Sequence, residues 1–217
     1  MVIALSLFNK YILIMPLNYL LFTQIILFLF ITPGSPRILI MSYAMKYGMK
    51  KSIWTAVGDI SANSLQMLIV IFGIGTLLFT YPDIFLIIKW IGILYLIYLA
   101  FDILKSKTQE IASGILDFKK SNFSFFKDGF IVAGMSPKAW IFIGTIFPTF
   151  INFDKNYILQ FFILGLSYII LDFISLIIYG LIARKIIVWL KANPKTINLI
   201  SSIALLSIAL IASFIKI

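Results

Sequence analysis

The sequence predicts an all-α integral membrane protein of six transmembrane helices, arranged as two inverted three-helix repeats with helices 1 and 4 broken near the midplane. Three observations predict it. Apolar residues make up 62% of the 217 positions and charged residues only 12%, about half of what a soluble domain carries. The apolar residues come in unbroken runs, long enough for the roughly 20 residues a crossing needs, and not in the alternation of a barrel. Two of those runs contain the same interruption, a Ser-Pro followed by a cation, at Ser35-Pro36-Arg37 and Ser136-Pro137-Lys138. A backbone in lipid must satisfy its own hydrogen bonds, so the runs are read as helices.

The runs lie at about 11–45, 53–79, 84–104, 124–150, 157–183 and 196–215. Their connections, in order, are "KYGMKKS", "TYPD", the longer "KSKTQEIASGILDFKKSNF", "NFDKN" and "RKIIVWLKANPK". At 1.5 Å per residue the first run is about 50 Å of helix, too long for a core of about 30 Å. Its first residues therefore lie outside the membrane, or its break tilts the two pieces strongly. The chain reads as a single transporter domain over 1–217, with repeat 1 at about 11–104, repeat 2 at about 124–215 and a cytoplasmic connection at 105–123.

Cations give the direction. Lys46, Lys50 and Lys51 lie in the first connection, Lys105, Lys107, Lys119, Lys120 and Lys127 in or beside the third, and Arg184, Lys185, Lys191 and Lys195 in the fifth. The opposite side has only Lys10, Lys155 and Lys216, with Lys89 at a helix start. The positive-inside rule makes the cation-rich connections cytoplasmic and sends both termini outward. A half with an odd number of crossings can repeat only upside down, which is the inverted architecture of many secondary transporters. The N-terminus has no basic start followed by a small-residue cleavage site, so no cleaved signal peptide is expected. The net charge of +10 follows from this topology, and nucleic acid is not an expected partner.

Proline cannot sit inside a helix without breaking it, but it suits the first turn of a new one, and serine before it is a good N-cap. Ser35-Pro36 and Ser136-Pro137 thus each read as the start of a half-helix, with Pro33 and Gly34 deepening the first break. From Pro36 to Lys46 is about 15 Å, and from Asp128 to Pro137 about 13 Å, which puts both starts near the midplane. Each start offers unpaired N–H groups and a partial positive charge, to which Arg37 and Lys138 add full charges. That is the makeup of a site for an anion such as a carboxylate. The competing reading is a proline kink used only for packing, with the cations paired internally.

Two acidic residues fall within the predicted spans, Asp59 in the second and Asp172 in the fifth. Thr55, Asp59, Asn63 and Gln66 share one helix face by their spacing, as do Tyr168, Asp172, Ser175 and Tyr179. A charge at the centre of a spanning helix costs roughly 2.5–3.5 kcal/mol, so Arg37, Asp59, Lys138 and Asp172 together would cost about 10–14 kcal/mol facing lipid. They must pair or line an interior path. Of the two carboxylates Asp172 reads as the deeper, and Asp59 as only about 10 Å from the cytoplasmic face. The candidate substrate contacts are Ser35, Pro36, Arg37, Asn63, Ser136, Pro137 and Lys138. Asp59, Asp172, Tyr168 and Tyr179 are candidates for binding an amine or exchanging protons. Such a set suits a zwitterion, and which aspartate does which is left open. Two purely structural ion pairs are the competing reading.

Cysteine and histidine are both absent. That removes disulfides, thiolate or imidazole metal sites and haem ligation through either residue, and neither cofactor nor metal is expected. An enzyme would have to rest on Asp, Lys or Tyr, and nothing clusters that way. A metal-ion exporter would want more carboxylates than two, and a structural or accessory membrane protein has no use for buried charges. The expected partners are a small solute, protons and the lipid bilayer; a six-helix unit of this size often pairs, but no interface signature stands out, and a homodimer is left open.

At "TPGSPRILIMSYAMKYGMKKS" the chain resembles the lysine exporter and threonine/homoserine exporter (LysE/RhtB) family, through Thr32, Pro33, Gly34, Leu39, Gly48, Lys50 and Lys51. "TYPDIFLIIKWIGILYLIYLAFDILKS" looks like the family's third helix at Pro82, Phe85, Lys89, Gly92, Tyr95 and Leu96. "FKDGFIVAGMSPKAWIFIGTIFPTFI" looks like its fourth at Gly129, Phe130, Pro137, Lys138, Ala139, Pro148 and Phe150. The likeness covers most of 11–183. Two departures stand out: Ser35-Pro36 replaces the family's Pro-Asn, and Ser136 replaces its Asn before Pro-Lys. The resemblance implies a proton-motive-force-driven exporter of amino acids or close derivatives in a bacterial (or archaeal) inner membrane. Another small anion or cation of the same superfamily is the alternative cargo.

Overall fold

The structure, a computed structural model, describes residues 16–105 and 120–214. All regular structure among the described residues is helical. Lys10, Lys107, Lys119 and Lys216, and most of the 105–123 connection, lie outside the described residues.

The first predicted span is two helices, α1 (Tyr19–Ile31) and α2 (Ser35–Tyr47), bent by 55° at the Thr32-Pro33-Gly34 break. Strong tilting at the break is thus one part of what the overlong first run required. Gly34, not Ser35, is the N-cap of α2, and Ser35 makes no side-chain cap. With Pro36 in the first turn and extended backbone at Gly34, the helix begins one residue earlier than proline chemistry alone suggests. It ends at Gly48, whose φ of 81° suits glycine and whose N–H reaches Ala44 O at 3.1 Å.

α3 (Met49–Thr80) and α4 (Pro82–Lys105) follow. α5 (Asn122–Gly134), capped by Ser121, and α6 (Pro137–Ile141), capped by Ser136 onto Ala139 N, form the second bent pair, at 56°. The pair does not continue as plain α-helix: Phe142–Ile146 is a π-helical turn and Phe147–Phe150 a 3₁₀ turn around Pro148. Nothing in the apolar pattern signals that change of winding. α7 (Tyr157–Leu181), capped by Asn156, precedes a short helix α8 (Ala183–Ala192) where only a connection was expected, and α9 (Pro194–Phe214) ends the described chain. α8 is held by Ala183 and Ile187 against Met41 of α2.

α3, α4 and α7 contain stretches long and apolar enough to cross a membrane (Met49–Gly73, Leu86–Lys105 and Tyr157–Leu181), and each bent pair passes the same test as a unit. The apolar part of α9, Asn198–Phe214, is shorter. The sorting of side chains on α7 explains why these helices suit lipid. Ile158, Phe162, Leu166, Ile170, Ile174 and Ile178 face outward, while Tyr168 and Asp172 are buried. The polar groups are inside and the greasiest stripe is outside, as a bilayer solvent requires.

α3 and α5 pack closest. A Cβ on Gly58 would lie 2.0 Å from Phe126 O, and one on Gly129 2.0 Å from Thr55 O, so the two backbones touch at paired glycines. Ala62 and Ala133 lie one turn on from each and are buried. Two small-x3-small stripes thus face each other, as is common where helices associate in membranes. Elsewhere α2 and α3 pack on α7, and α4 packs on α9. Aromatic clusters lie to either side of the breaks: Phe22, Phe147, Phe150 and Phe161 toward one end, Tyr43, Tyr47 and Phe125 toward the other.

Candidate functional site

Both helix breaks open onto one cavity. Gly34, Pro36 and Arg37 line it from the first break, Ser136, Lys138 and Ala139 from the second, Asp59 and Asn63 from α3, and Tyr168 from α7. Of the predicted contacts, Ser35 and Pro137 are exposed and do not line it. The cavity is about 30 Å³, room for a water or two and too little for an amino acid.

Arg37 is paired through one nitrogen, and its Nε is buried without a partner. Its Nη2 donates to Asp172 Oδ1 at 2.5 Å, and its guanidinium lies 4.6 Å over the Phe30 ring. The isolated positive charge expected at the first half-helix start is therefore a buried ion pair, as four charges in a low dielectric require. Lys138 takes a different partner: its Nζ donates to Leu29 O at 3.0 Å. Leu29 sits in the last turn of α1, whose carbonyls lose their helical donors at the break, so a cation there also complements the helix dipole.

The carboxylates are bridged by an amide. Asn63 Nδ2 donates to Asp172 Oδ2 at 2.8 Å and to Asp59 Oδ2 at 3.0 Å. One structural ion pair exists here, Arg37–Asp172, where two were the competing expectation. Asp59 Oδ1 and Asn63 Oδ1 are buried without a partner, as are Thr55 Oγ1 and Gln66 Oε1 on the same face of α3. The polar face read from the spacing of Thr55, Asp59, Asn63 and Gln66 is thus real, fully buried and incompletely satisfied.

The remaining members of these faces close the breaks. Gln66 Nε2 donates to Ala133 O at 3.3 Å and to Gly134 O at 3.2 Å, the last carbonyls of α5. Tyr179 OH donates to Ile31 O, the last carbonyl of α1, at 2.9 Å. Tyr179 is therefore placed at the break and not in the cavity, while Tyr168 is packed between Phe30 and Phe142.

Sequence reasoning passed over Gly58 as the partner of Gly129, although Gly58-x3-Ala62 and Gly129-x3-Ala133 were available as a signal. It also passed over Tyr43 and Asp128. Tyr43 OH donates to Asp128 Oδ2 at 2.7 Å, and Lys120 Nζ donates to both groups. Burial pulls the Lys120 ammonium down, but its bonds to Asp128 and Tyr43 outweigh this and leave it above the ordinary lysine value.

Two broken helices, each pair long and apolar enough to cross a membrane, gather charges and helix ends on one interior cavity. A family model, LysE type translocator, matches residues 27–214, and the chain belongs to that family. It is 29% identical over 192 residues to a homoserine/homoserine lactone efflux protein of Salmonella typhimurium, covering 84% of this chain and 90% of the relative. The Salmonella typhi protein of the same description matches equally, at 29% over the same shares. An uncharacterized membrane protein of Vibrio cholerae is 26% identical over 156 residues, 72% of this chain and 76% of the relative. No solved structure matches.

Proposed function

We propose that the chain is a secondary active transporter that exports amino acids or closely related small solutes across the cytoplasmic membrane, by antiport against protons. The observation that carries the reading is the convergence of both half-helix starts and an unsatisfied carboxylate on one interior cavity. The cargo's carboxylate would sit at the N–H groups near Pro36 and Ser136 with Lys138 alongside, and its amine at a carboxylate. Homoserine and its lactone are the first cargoes to test, since the Salmonella relatives are described as exporting them.

The inverted-repeat topology belongs to the same proposal, with six crossings, cytoplasmic cation-rich connections and both termini outside. Its support is a crosswise correspondence. Gln66, in the second helix of one half, closes the break of the other half, and Tyr179, in the second helix of that other half, closes the break of the first. Exchange of the halves turns each of these contacts into its counterpart.

The test is export from intact cells. An amino-acid-sensitive host is loaded with dipeptides, with or without this chain, and each amino acid in the medium is followed by mass spectrometry. Faster efflux of one or a few amino acids, abolished by an uncoupler, is the expected result. No change for any amino acid, with the protein folded in the membrane, rejects the reading and makes organic acids the next cargo class.

A further inference from the structure

The export reading, on which this inference rests, leaves open which carboxylate meets the exchanging cation. The geometry points to Asp59. Asp172 has both oxygens engaged, Oδ1 by Arg37 at 2.5 Å and Oδ2 by Asn63 at 2.8 Å. Asp59 receives a single bond, from the same amide at 3.0 Å, and its Oδ1 has no donor although the residue is only 2% exposed. A carboxylate oxygen held in a low dielectric without a donor calls for a proton or a cation.

No hydrogen bond from the groups around Asp59 reaches that oxygen. Arg37 on α2 donates through Nη2 to Asp172 and leaves its Nε without a partner, Lys138 on α6 donates to Leu29 O, and Asp172 and Tyr168 face the site from α7. α5 contributes only Ala133 and Gly134 hereabouts, and α4 contributes no residue to the cavity. Asp59 is thus the carboxylate on the cavity wall that is left with an open oxygen, beside the open amide oxygen of Asn63.

We propose that Asp59 Oδ1 is a common seat for a proton and for the cargo's ammonium group, holding one or the other and never both, while Asp172 is the fixed counter-ion of Arg37. Displacement of one cation by the other keeps the Asp59 carboxylate neutralised, the cargo's own carboxylate is met by Lys138 and the half-helix N–H groups, and the departing proton passes to water in the cavity. The cargo class that follows is a solute with a free primary amine, and N-acylated derivatives are excluded. Asn63, which donates to both carboxylates, positions Asp59 against Asp172.

The test uses the full chain reconstituted in vesicles and infrared difference spectra between acid and alkaline buffer, with homoserine and N-acetylhomoserine as probes. The wild type is expected to show a protonated-carboxyl band that Asp59→Asn removes and Asp172→Asn retains. Homoserine is expected to move the band's titration toward acid, and N-acetylhomoserine to leave it in place. Homoserine affinity should fall as the buffer is acidified, by at most about tenfold per pH unit for one competing proton. A band that survives Asp59→Asn overturns the proposal, as does unchanged homoserine affinity in that variant or an equal shift with the acetylated probe. Should Asp172→Asn fail to fold, the wild type and Asp59→Asn with the two probes still decide it. A homoserine-shifted Asp59 band in a chain that exports no amino acid strikes the export reading alone. Export of homoserine with an unmoved band strikes the common seat alone.

Discussion

Removing Arg37 should harm this protein more than removing Asp172, and removing both should harm it less than either alone suggests. The perturbation is a double-substitution cycle of Arg37→Met, Asp172→Leu and the pair. Both residues are buried, at 7% and 1% exposure, and among the described residues each is the other's only opposite charge at hydrogen-bonding distance. Breaking such a pair from one side leaves an uncompensated charge and costs about 3–5 kcal/mol, whereas replacing both by apolar groups of similar volume is often close to neutral. Asp59 makes the two halves unequal. After Asp172→Leu, Arg37 still lines the cavity that holds Asp59 and can serve that carboxylate. After Arg37→Met, Asp59 and Asp172 remain joined through Asn63 with no guanidinium. We therefore expect Arg37→Met at about 5 kcal/mol, Asp172→Leu at about 3 kcal/mol, and the double variant well below their sum of about 8 kcal/mol. Thermal unfolding in detergent, read by loss of the monodisperse chromatographic peak, ranks the four proteins. Additive losses, or an Asp172→Leu variant less stable than Arg37→Met, would refute the reasoning.

Two further perturbations test the packing. Gly129→Val must push against Thr55 O, which a Cβ would approach to 2.0 Å, and backbone cannot step aside as a side chain can. The loss should reach the upper end of overpacking, about 3 kcal/mol, while Gly73→Ala, with nothing within 4 Å, should be neutral or gain up to about 1 kcal/mol; equal melting temperatures for the two variants would contradict the close approach. Asp128→Asn removes a partner shared by Tyr43 and Lys120, but that ion pair is partly exposed, with side chains 18% and 31% accessible. Its cost should be no more than about 1 kcal/mol and should shrink in high salt, which melting curves at two ionic strengths can check.

The pattern of hydrophobicity and proline carries most of this architecture because in lipid both are nearly deterministic. A run of apolar residues has no alternative to a helix, and Pro36 or Pro137 inside such a run has no alternative to a break. Asp59 and Asp172 were visible as site candidates for the same reason, since a carboxylate in a spanning helix cannot face out. Partner choice was not visible. Arg37 and Lys138 occupy matching places in matching motifs, yet one takes a carboxylate and the other a carbonyl. That outcome depends on which side chain of another helix lies within a few ångströms, and spacing along one helix contains nothing about it. The π turn at Phe142–Ile146 was hidden for a related reason. Thr145 donates to Ile141 O at 2.6 Å, and a Cβ on Gly92 would lie 2.5 Å from Thr145 Oγ1, so the turn is fitted against a distant glycine of α4.

The energetic scale of the break contacts bears on how such a protein could move. Each broken helix strands carbonyls in a medium without water, and those carbonyls are caught by side chains from across the molecule: Lys138 on Leu29 O, Tyr179 on Ile31 O, Gln66 on Ala133 and Gly134 O. A typical bond of this kind contributes about 1 kcal/mol net, more where the donor is charged. The Gly58–Gly129 contact and the Arg37–Asp172 pair are much harder to undo, one because it is backbone on backbone and the other because it neutralises buried charge. Rearrangement of the site should therefore keep α3 with α5, and α2 with α7, and give way at the neutral carbonyl contacts between them. Of those weaker contacts Lys138 on Leu29 O lies on the cavity wall, so the wall that has to give way to admit a solute can open there, while Asp172 stays in the rigid part.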